Sequence, residues 1–311
     1  MPPAQRIAVV DLGTNSTRLL IADVADGRVE ELERATEITR LGERVDSAGR
    51  LAAPAMDRVL DTVASYRGRI DKLGATQVVA VATSAVREAK NGDEFRRKLA
   101  DRFGIDARTI SGEEESRLSF LGATSGRPPG GDPVLVLDIG GGSTEFVVGV
   151  AGSNPTFHAS TNAGSVRQTE RHLAGDPPTE EQLASVAGEV AAIIEAEVPR
   201  EVRRDAAMGI AVAGTATSIA AVDQRLETYD PERVHGYRLD RYAVEEILDH
   251  LASLPLAERR EIIGLNPARA PTIVAGAVIL REAMRAFDLD WMETSEADIL
   301  HGAALEAAAD A

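Results

Sequence analysis

A short polar motif occurs twice in this sequence, and its residue types are suited to binding phosphate. Residues 9–24 read VVDLGTNSTRLLIADV and residues 136–150 read VLDIGGGSTEFVVGV, and the two copies align without a gap. Glycine lets the backbone turn sharply and approach a ligand, while exposed N–H groups and hydroxyls form an anion-binding nest. An Asp at a strand end can hold a divalent cation, directly or through water. The shared residues are Asp11, Gly13, Ser16 and Thr17 in the first copy and Asp138, Gly140, Ser143 and Thr144 in the second.

Each motif lies between two apolar segments, which predicts a strand–turn–strand hairpin with the motif at its tip. A single copy could be an ordinary hairpin turn. Two aligned copies that keep the same four residue types favour a ligand instead. We expect two loops that grip neighbouring phosphates from both sides of a cleft.

A cluster of three glutamates stands in the segment SGEEESR, residues 111–117. Acidic residues at a helix N-terminus usually serve as capping and dipole groups, and Ser111 with Glu114 has the spacing of a capping box. The alternative is a carboxylate that activates water, because hydrolysis of a phosphoanhydride needs a base and charge neutralisation. The residues alone leave both interpretations open. No Ser-His-Asp pattern or cysteine offers an evident nucleophile for a covalent route.

The elements that must position these residues follow the same order in both halves. Residues 53–74 have apolar positions at alternating spacings of four and three, which predicts an amphipathic helix. Strand-like segments that lead into helix starts follow in each half, and the Pro- and Gly-rich segment 125–133 is the clearest linker. We expect an α/β fold of two duplicated domains with an interdomain cleft, residues 1–124 and 125–295. A final helix over 296–311 would be able to pack back on the first domain.

The composition of the chain limits the classes of function that it can have. The chain has 311 residues, 44% of them hydrophobic and 27% charged, which predicts a globular protein with sizeable cores. The formal net charge of −16 argues against broad binding to nucleic acid or membrane. The chain has no cysteine, so disulfides and thiolate metal sites are excluded, and its five histidines are scattered. The N-terminus lacks the apolar stretch of a secretory signal, so we expect a cytoplasmic location.

Several quoted segments together resemble one family. The paired loops resemble the phosphate-1 and phosphate-2 loops of the actin, sugar kinase and Hsp70 superfamily. The segments TSAVREAKN, ISGEEESRLSFLG, NAGSVRQTE, AVAGTATSIAA and NPARAPTIVAGAVIL then follow in the order of the exopolyphosphatase and guanosine pentaphosphate phosphohydrolase family. The resemblance spans nearly the whole chain and implies two actin-like, ribonuclease H-like domains, as in the short form of that family.

The resemblance also implies roles for individual residues. Glu115 precedes a small residue and an arginine, as the catalytic glutamate of relatives does, and it is expected to activate water, with Glu114 as the capping partner. Asp138 and Glu145 would complete the catalytic group, and Asp11 and Asp138 would hold a metal. The expected phosphate-binding residues are Gly13, Thr14, Asn15, Ser16, Arg87, Gly140, Gly141, Gly142, Ser143, Thr144, Gly214 and Thr215. Weaker candidates for contact with a phosphate chain are Arg18, Arg117 and Arg167.

One segment departs from the family pattern. Relatives commonly have Leu-Arg-Glu-Gly near the C-terminus, whereas residues 298–302 of this chain read DILHG. The departure weakens any assignment of a role to residues there.

The function implied by the resemblance is an exopolyphosphatase that depends on Mg²⁺ or Mn²⁺ and prefers short chains of inorganic polyphosphate. The pppGpp 5'-phosphohydrolase reaction is the first alternative, with pppGpp or ppGpp as partner. A non-catalytic polyphosphate or alarmone sensor, and an actin-like ATPase or sugar kinase, are alternatives of other classes. No nucleic acid or membrane partner is expected, and a homodimer is left open.

Overall fold

The computed structural model describes residues 4–310, and this part of the chain forms two compact units. The first unit ends at Arg127 and takes up the chain again from Asp298, whereas the second runs from Pro128 to Ala297. The predicted domain limits stay a prediction, and so does the cleft between the domains.

Among residues 4–310, eleven strands form two sheets, one in each unit. The strands are β1 (Gln5–Leu12), β2 (Thr17–Ala25), β3 (Arg28–Glu37), β4 (Gln77–Ala82), β5 (Ala107–Thr109), β6 (Val134–Ile139), β7 (Thr144–Gly149), β8 (Phe157–Thr161), β9 (Met208–Val212), β10 (Arg238–Asp240) and β11 (Trp291–Thr294). The first sheet has the order β3-β2-β1-β4-β5, and the second has the order β10-β11-β9-β6-β7-β8.

The two sheets share a common plan. In the first, β1 pairs with β2 antiparallel and with β4 parallel. In the second, β6 pairs with β7 antiparallel and with β9 parallel. Each motif therefore lies between the first two strands of its sheet. The predicted fold class, two duplicated actin-like α/β domains, is confirmed.

Fourteen helices are present among the described residues. They are α1 (Val45–Ala48), α2 (Ala53–Leu73), α3 (Ser84–Glu88), α4 (Gly92–Phe103), α5 (Gly112–Thr124), α6 (Ser165–His172), α7 (Glu180–Glu197), α8 (Arg200–Asp205), α9 (Ala213–Asp223), α10 (Pro231–Val234), α11 (Arg241–Ser253), α12 (Leu256–Arg259), α13 (Ile273–Ala286) and α14 (Ile299–Ala309). Helices α2 and α4 end where Gly74 and Gly104 adopt left-handed backbone angles, with φ of 69° and 64°. Between residues 4 and 310, no helix combines the length and the apolar character needed to cross a bilayer.

Both faces of the first sheet are buried. One face, which includes Val10, packs against α2 through Val59 and Val63. The other face, which includes Val9, packs against α5 and α14. A sheet covered on both faces needs apolar residues at consecutive positions, which is why β1 and β2 appear as nearly continuous apolar segments in the sequence.

Helix α14 packs tightly on α5 because each helix has a glycine at the contact. A Cβ added at Gly302 would lie 1.9 Å from the carbonyl oxygen of Leu118, and one added at Gly122 would lie 1.8 Å from that of Asp298. No side chain fits at either position without separating the helices. The C-terminal helix is therefore held against the helix that carries Glu115.

This packing makes an alanine substitution at Gly302 destabilising. Alanine is normally favoured over glycine in a helix by about 1 kcal/mol. Because overpacking of a filled contact typically costs about 1–3 kcal/mol, we expect Gly302→Ala to lower the midpoint of urea unfolding. Gly68→Ala in α2 is the matched control, since a Cβ there meets nothing within 4 Å. A midpoint that rises equally in both variants would contradict the packing account.

Candidate active site

The first loop is closed by one short hydrogen bond between its own residues. The N–H of Gly13 donates to the carbonyl of Ser16 at 3.0 Å. A Cβ at Gly13 would lie only 2.9 Å from the same oxygen, so the turn needs glycine. The carbonyl of Thr14 accepts from the N–H of Gly42 at 2.8 Å, and that of Asn15 accepts from the N–H of Arg40 at 2.9 Å.

The second loop repeats this construction. The N–H of Gly140 donates to the carbonyl of Ser143 at 3.0 Å. The carbonyl of Gly141 accepts from the N–H of Val166 at 2.8 Å, as that of Thr14 does from the segment after β3. The carbonyl of Gly142 accepts from Nε of Arg167 at 2.9 Å. Arg167 therefore stabilises the second loop.

Both loops direct carbonyl groups into the protein and leave N–H groups for a ligand. Within residues 4–310, the structure records no acceptor for the backbone N–H groups of Thr14, Asn15, Gly141 and Gly142. Consecutive N–H donors of this kind are the basis of anion binding by backbone nests. The two loops can thus each accept a phosphate group through the backbone.

The two copies differ at the residue opposite the aspartate. Asp11 is paired in register with Arg18, whereas Asp138 is paired with Glu145. Residues directly opposite on antiparallel strands lie on the same face, so Asp138 and Glu145 are neighbouring carboxylates. Both are buried, and the hydroxyl of Ser160 donates to Glu145 at 2.8 Å. Like charges repel, and a cation bound by the two carboxylates would offset that repulsion. The pair is therefore suited to binding a cation.

Asp11 is buried and only partly neutralised. Its Oδ2 accepts from Nε of Arg18 at 2.8 Å, while its Oδ1 is buried and has no hydrogen-bond partner. Burial raises the pKa of Asp11, and the charge of Arg18 opposes this shift without cancelling it. An unpartnered buried carboxylate oxygen is costly, and a cation at Oδ1 would satisfy it.

The residues present fit a divalent cation that is held by few protein ligands. In the described residues, no group of three or more His, Cys, Asp or Glu side chains could enclose a metal ion. Mg²⁺ usually keeps several waters and takes one or two carboxylates plus substrate phosphates. The pair Asp138 and Glu145 and the Oδ1 atom of Asp11 are donors of this type.

Glu115 lies in the first turns of α5 and is held by Arg87. Helix α5 begins after Ser111, whose hydroxyl accepts the N–H of Glu114 at 3.1 Å. Nη1 of Arg87 donates to Oε2 of Glu115 at 3.0 Å and to the carbonyl of Ile110 at 2.8 Å. The Glu115 side chain is one-tenth exposed, whereas that of Arg87 is 27% exposed. The carboxylate is therefore oriented by an arginine that solvent still reaches.

Helix α3, which carries Arg87, also contacts the first loop. The hydroxyls of Thr14 and Ser84 form a hydrogen bond of 2.8 Å. The first unit thus brings together Thr14, Arg87 and Glu115, which lie far apart in the sequence.

Other predicted residues have structural partners. Glu114 forms an ion pair with Arg108, so the prediction that its side chain completes a capping box with Ser111 is wrong. Arg117 forms an ion pair with Glu306 of α14. The hydroxyl of Thr144 is fully buried and donates to the carbonyl of Ala163 at 2.6 Å.

The segment with Gly214 and Thr215 forms the first turn of α9. The hydroxyl of Thr215 lies 3.4 Å from the carbonyl of Ile139, which is in the strand before the second loop. A Cβ at Gly214 would lie 1.9 Å from the guanidinium of Arg269, so that guanidinium covers the start of the helix. Sequence reasoning did not single out Arg269 or Asp298. The departure at DILHG was the only signal for Asp298.

The duplicated α/β fold, with a glycine-rich loop between the first two strands of each sheet, defines a class of two-unit actin-like proteins. Comparison with known proteins makes the family specific. The model of the Ppx/GppA phosphatase family matches residues 20–310, and the chain belongs to this family.

Three relatives are similar to this chain over nearly their whole length. Exopolyphosphatase 2 of Mycobacterium tuberculosis is 36% identical over 97% of this chain and 98% of its own. The crystal structure of an exopolyphosphatase-like protein is 34% identical, with a TM-score of 0.90 over 98% of both chains. The Ppx/GppA family member of Aquifex aeolicus is 29% identical, with a TM-score of 0.82 over 99% of both chains.

Proposed function

We propose that this protein is an exopolyphosphatase that removes the terminal phosphate of inorganic polyphosphate in the presence of a divalent cation. The observation that carries the proposal is the meeting of Glu115, Arg87 and the first loop within one unit. The exopolyphosphatase names of the relatives at 36% and 34% identity support the choice of substrate.

Each of the two loops is proposed to bind phosphate groups of the substrate. Each offers consecutive backbone N–H groups, which donate to phosphate oxygens without adding a mobile side chain. The hydroxyls of Ser16 and Ser143, at matching positions in the two loops, are further proposed donors. Arg87 would donate to the terminal phosphate with guanidinium nitrogens beyond the one that holds Glu115. These contacts orient the terminal phosphorus for attack in line with the leaving oxygen.

The proposed ligands for a divalent cation are Asp138 and Glu145 in the second unit and Oδ1 of Asp11 in the first unit. When bound, the cation neutralises charge on the phosphate oxygens. The carboxylates of this chain fix the location of that positive charge, and the buried setting strengthens its effect.

Glu115 is proposed to orient a water molecule and take up its proton. The water oxygen forms a bond to the terminal phosphorus while the bridging P–O bond breaks. The products are inorganic phosphate and a chain that is shorter by one phosphate. Arg87 holds the Glu115 carboxylate in place by donating to Oε2.

A panel of four substrates tests the function directly. We expect phosphate release with Mg²⁺ from short polyphosphate, and loss of the activity in excess chelator. Long polyphosphate should be a poorer substrate in kcat/KM at low salt, because a net charge of −16 repels a long polyanion. Added salt should relieve part of this difference by screening.

The panel also includes pppGpp and ATP. A kcat/KM for pppGpp above that for polyphosphate would favour the pppGpp phosphohydrolase. Binding of polyphosphate without any phosphate release would favour a sensor. Turnover of ATP alone would contradict the proposal in favour of an ATPase.

Substitutions at two adjacent glutamates distinguish a catalytic carboxylate from one in a surface ion pair. Glu115→Gln keeps the shape of the side chain but removes the base, so we expect kcat to fall by about 10²–10⁴-fold with KM little changed. Glu114→Gln should leave kcat unchanged, because Glu114 pairs with Arg108 at the surface, and lower the free energy of unfolding by at most about 1 kcal/mol. Steady-state kinetics of both variants measure kcat and KM, and urea unfolding measures the free energy of unfolding. If only Glu114→Gln loses kcat, the assignment of the base to Glu115 is wrong.

A further inference from the structure

Arg18 lies between two buried aspartates in the first unit. Its Nε and Nη2 contact Oδ2 of Asp11 at 2.8 and 2.7 Å, and its Nη1 pairs with Oδ2 of Asp298. The side chains of Asp11 and Asp298 are each 4% exposed, and that of Arg18 is 14% exposed. Asp298, which follows β11 and precedes α14, therefore reaches the first loop through Arg18.

The position of Asp298 is fixed by its surroundings. Its Oδ1 accepts the N–H of Leu300 at 3.0 Å and so caps α14. The close contact of its backbone carbonyl with Gly122 holds this cap against α5. The fixed carboxylate contacts the guanidinium of Arg18 at Nη1, while Nε and Nη2 contact Oδ2 of Asp11, and the buried Oδ1 of Asp11 has no hydrogen-bond partner.

Asp298 also sets the charge at Asp11. The formal charges of Asp11 and Arg18 alone sum to zero, and a neutral pair attracts a cation only weakly. When Asp298 is included, the formal charges of the three residues sum to −1. Nearby, Glu31 pairs with Arg34 at 3.0 Å, and His301 lies 3.0 Å from Glu31 and 3.3 Å from Arg34.

We propose that Asp298 is a positioning residue that acts through Arg18 on Asp11 and keeps Oδ1 of Asp11 available, with a net negative charge, to a divalent cation. The inference rests on the proposed function, in which Asp11 helps to hold that cation. It gives the DILHG segment a role: its first residue supplies a charge to the first loop, which has an arginine where the second loop has Glu145.

Asp298→Asn tests the charge while keeping the cap, since Asn is as good an N-cap as Asp. Binding of Mn²⁺ to the full chain without substrate is measured by electron paramagnetic resonance, and the fold is checked by circular dichroism. We expect the Kd for Mn²⁺ to rise about tenfold, the order expected for one charge lost near a cation at an effective protein dielectric. The Mg²⁺ concentration for half-maximal hydrolysis should rise in parallel.

The double variant Arg18→Gln/Asp298→Asn returns the sum of charges to −1. We therefore expect its Kd for Mn²⁺ to lie within about threefold of the wild-type value, whereas a purely structural role would make the double variant worse than the single one. Asp230→Asn is the matched control, because Asp230 caps α10 in the second unit through the N–H groups of Glu232 and Arg233. Its Kd should not change.

The outcomes separate this inference from the function. An unchanged Kd for Mn²⁺ in Asp298→Asn, or a weakened one that the double variant does not restore, overturns the role of Asp298 even if the wild type hydrolyses polyphosphate. A wild type that binds Mn²⁺ as expected but releases no phosphate overturns the proposed function, and the shift in Kd still decides the role of Asp298. Asp138→Asn completes the set, since it should weaken Mn²⁺ binding regardless of Asp298.

Discussion

The hydrogen bond from a glycine N–H to a serine carbonyl closes both loops, and the rest of each half-site depends on it. It measures 3.0 Å in both copies, from Gly13 to Ser16 and from Gly140 to Ser143. By turning the chain within four residues, it brings the aspartate at the end of one strand opposite a residue at the start of the next. It also directs the next carbonyls inward and so exposes the N–H groups between them. The residues opposite the aspartates then decide how the two copies diverge.

The two loops share one backbone conformation and differ in the charge of the residue opposite the aspartate. The second loop keeps two acids in register, Asp138 and Glu145. The first loop places Arg18 against Asp11 and depends on Asp298 from the C-terminal helix to balance it. The pKa of Asp298 is lowered: burial raises it, but Arg18, Arg34, His301 and the N–H of Leu300 together outweigh burial. Asp11, which lacks a second donor, remains the acid with an unsatisfied oxygen.

Local sequence signals predicted the repeat, helix α2 and the start of α5, because their patterns are long or carry a cap. They did not reveal β8, β10 or β11, since strands of three to five residues form through pairing with neighbours that are remote in sequence. The ion pair of Arg87 with Glu115 spans 28 positions and that of Arg18 with Asp298 spans 280, so no local pattern could indicate either. The capping box at Glu114 failed because Arg108 offers its side chain a charged partner instead.

The central proposal is that each loop binds phosphate through its backbone N–H groups. The most direct measurement is a titration of tripolyphosphate with Mg²⁺ into isotope-labelled Glu115→Gln protein, which is expected to turn over slowly, followed by amide resonances. The account predicts that the amides of Thr14 and Asn15 in the first loop, and those of Gly141 and Gly142 in the second, shift as tripolyphosphate is added. Amides in either loop that do not shift at saturating tripolyphosphate would contradict it.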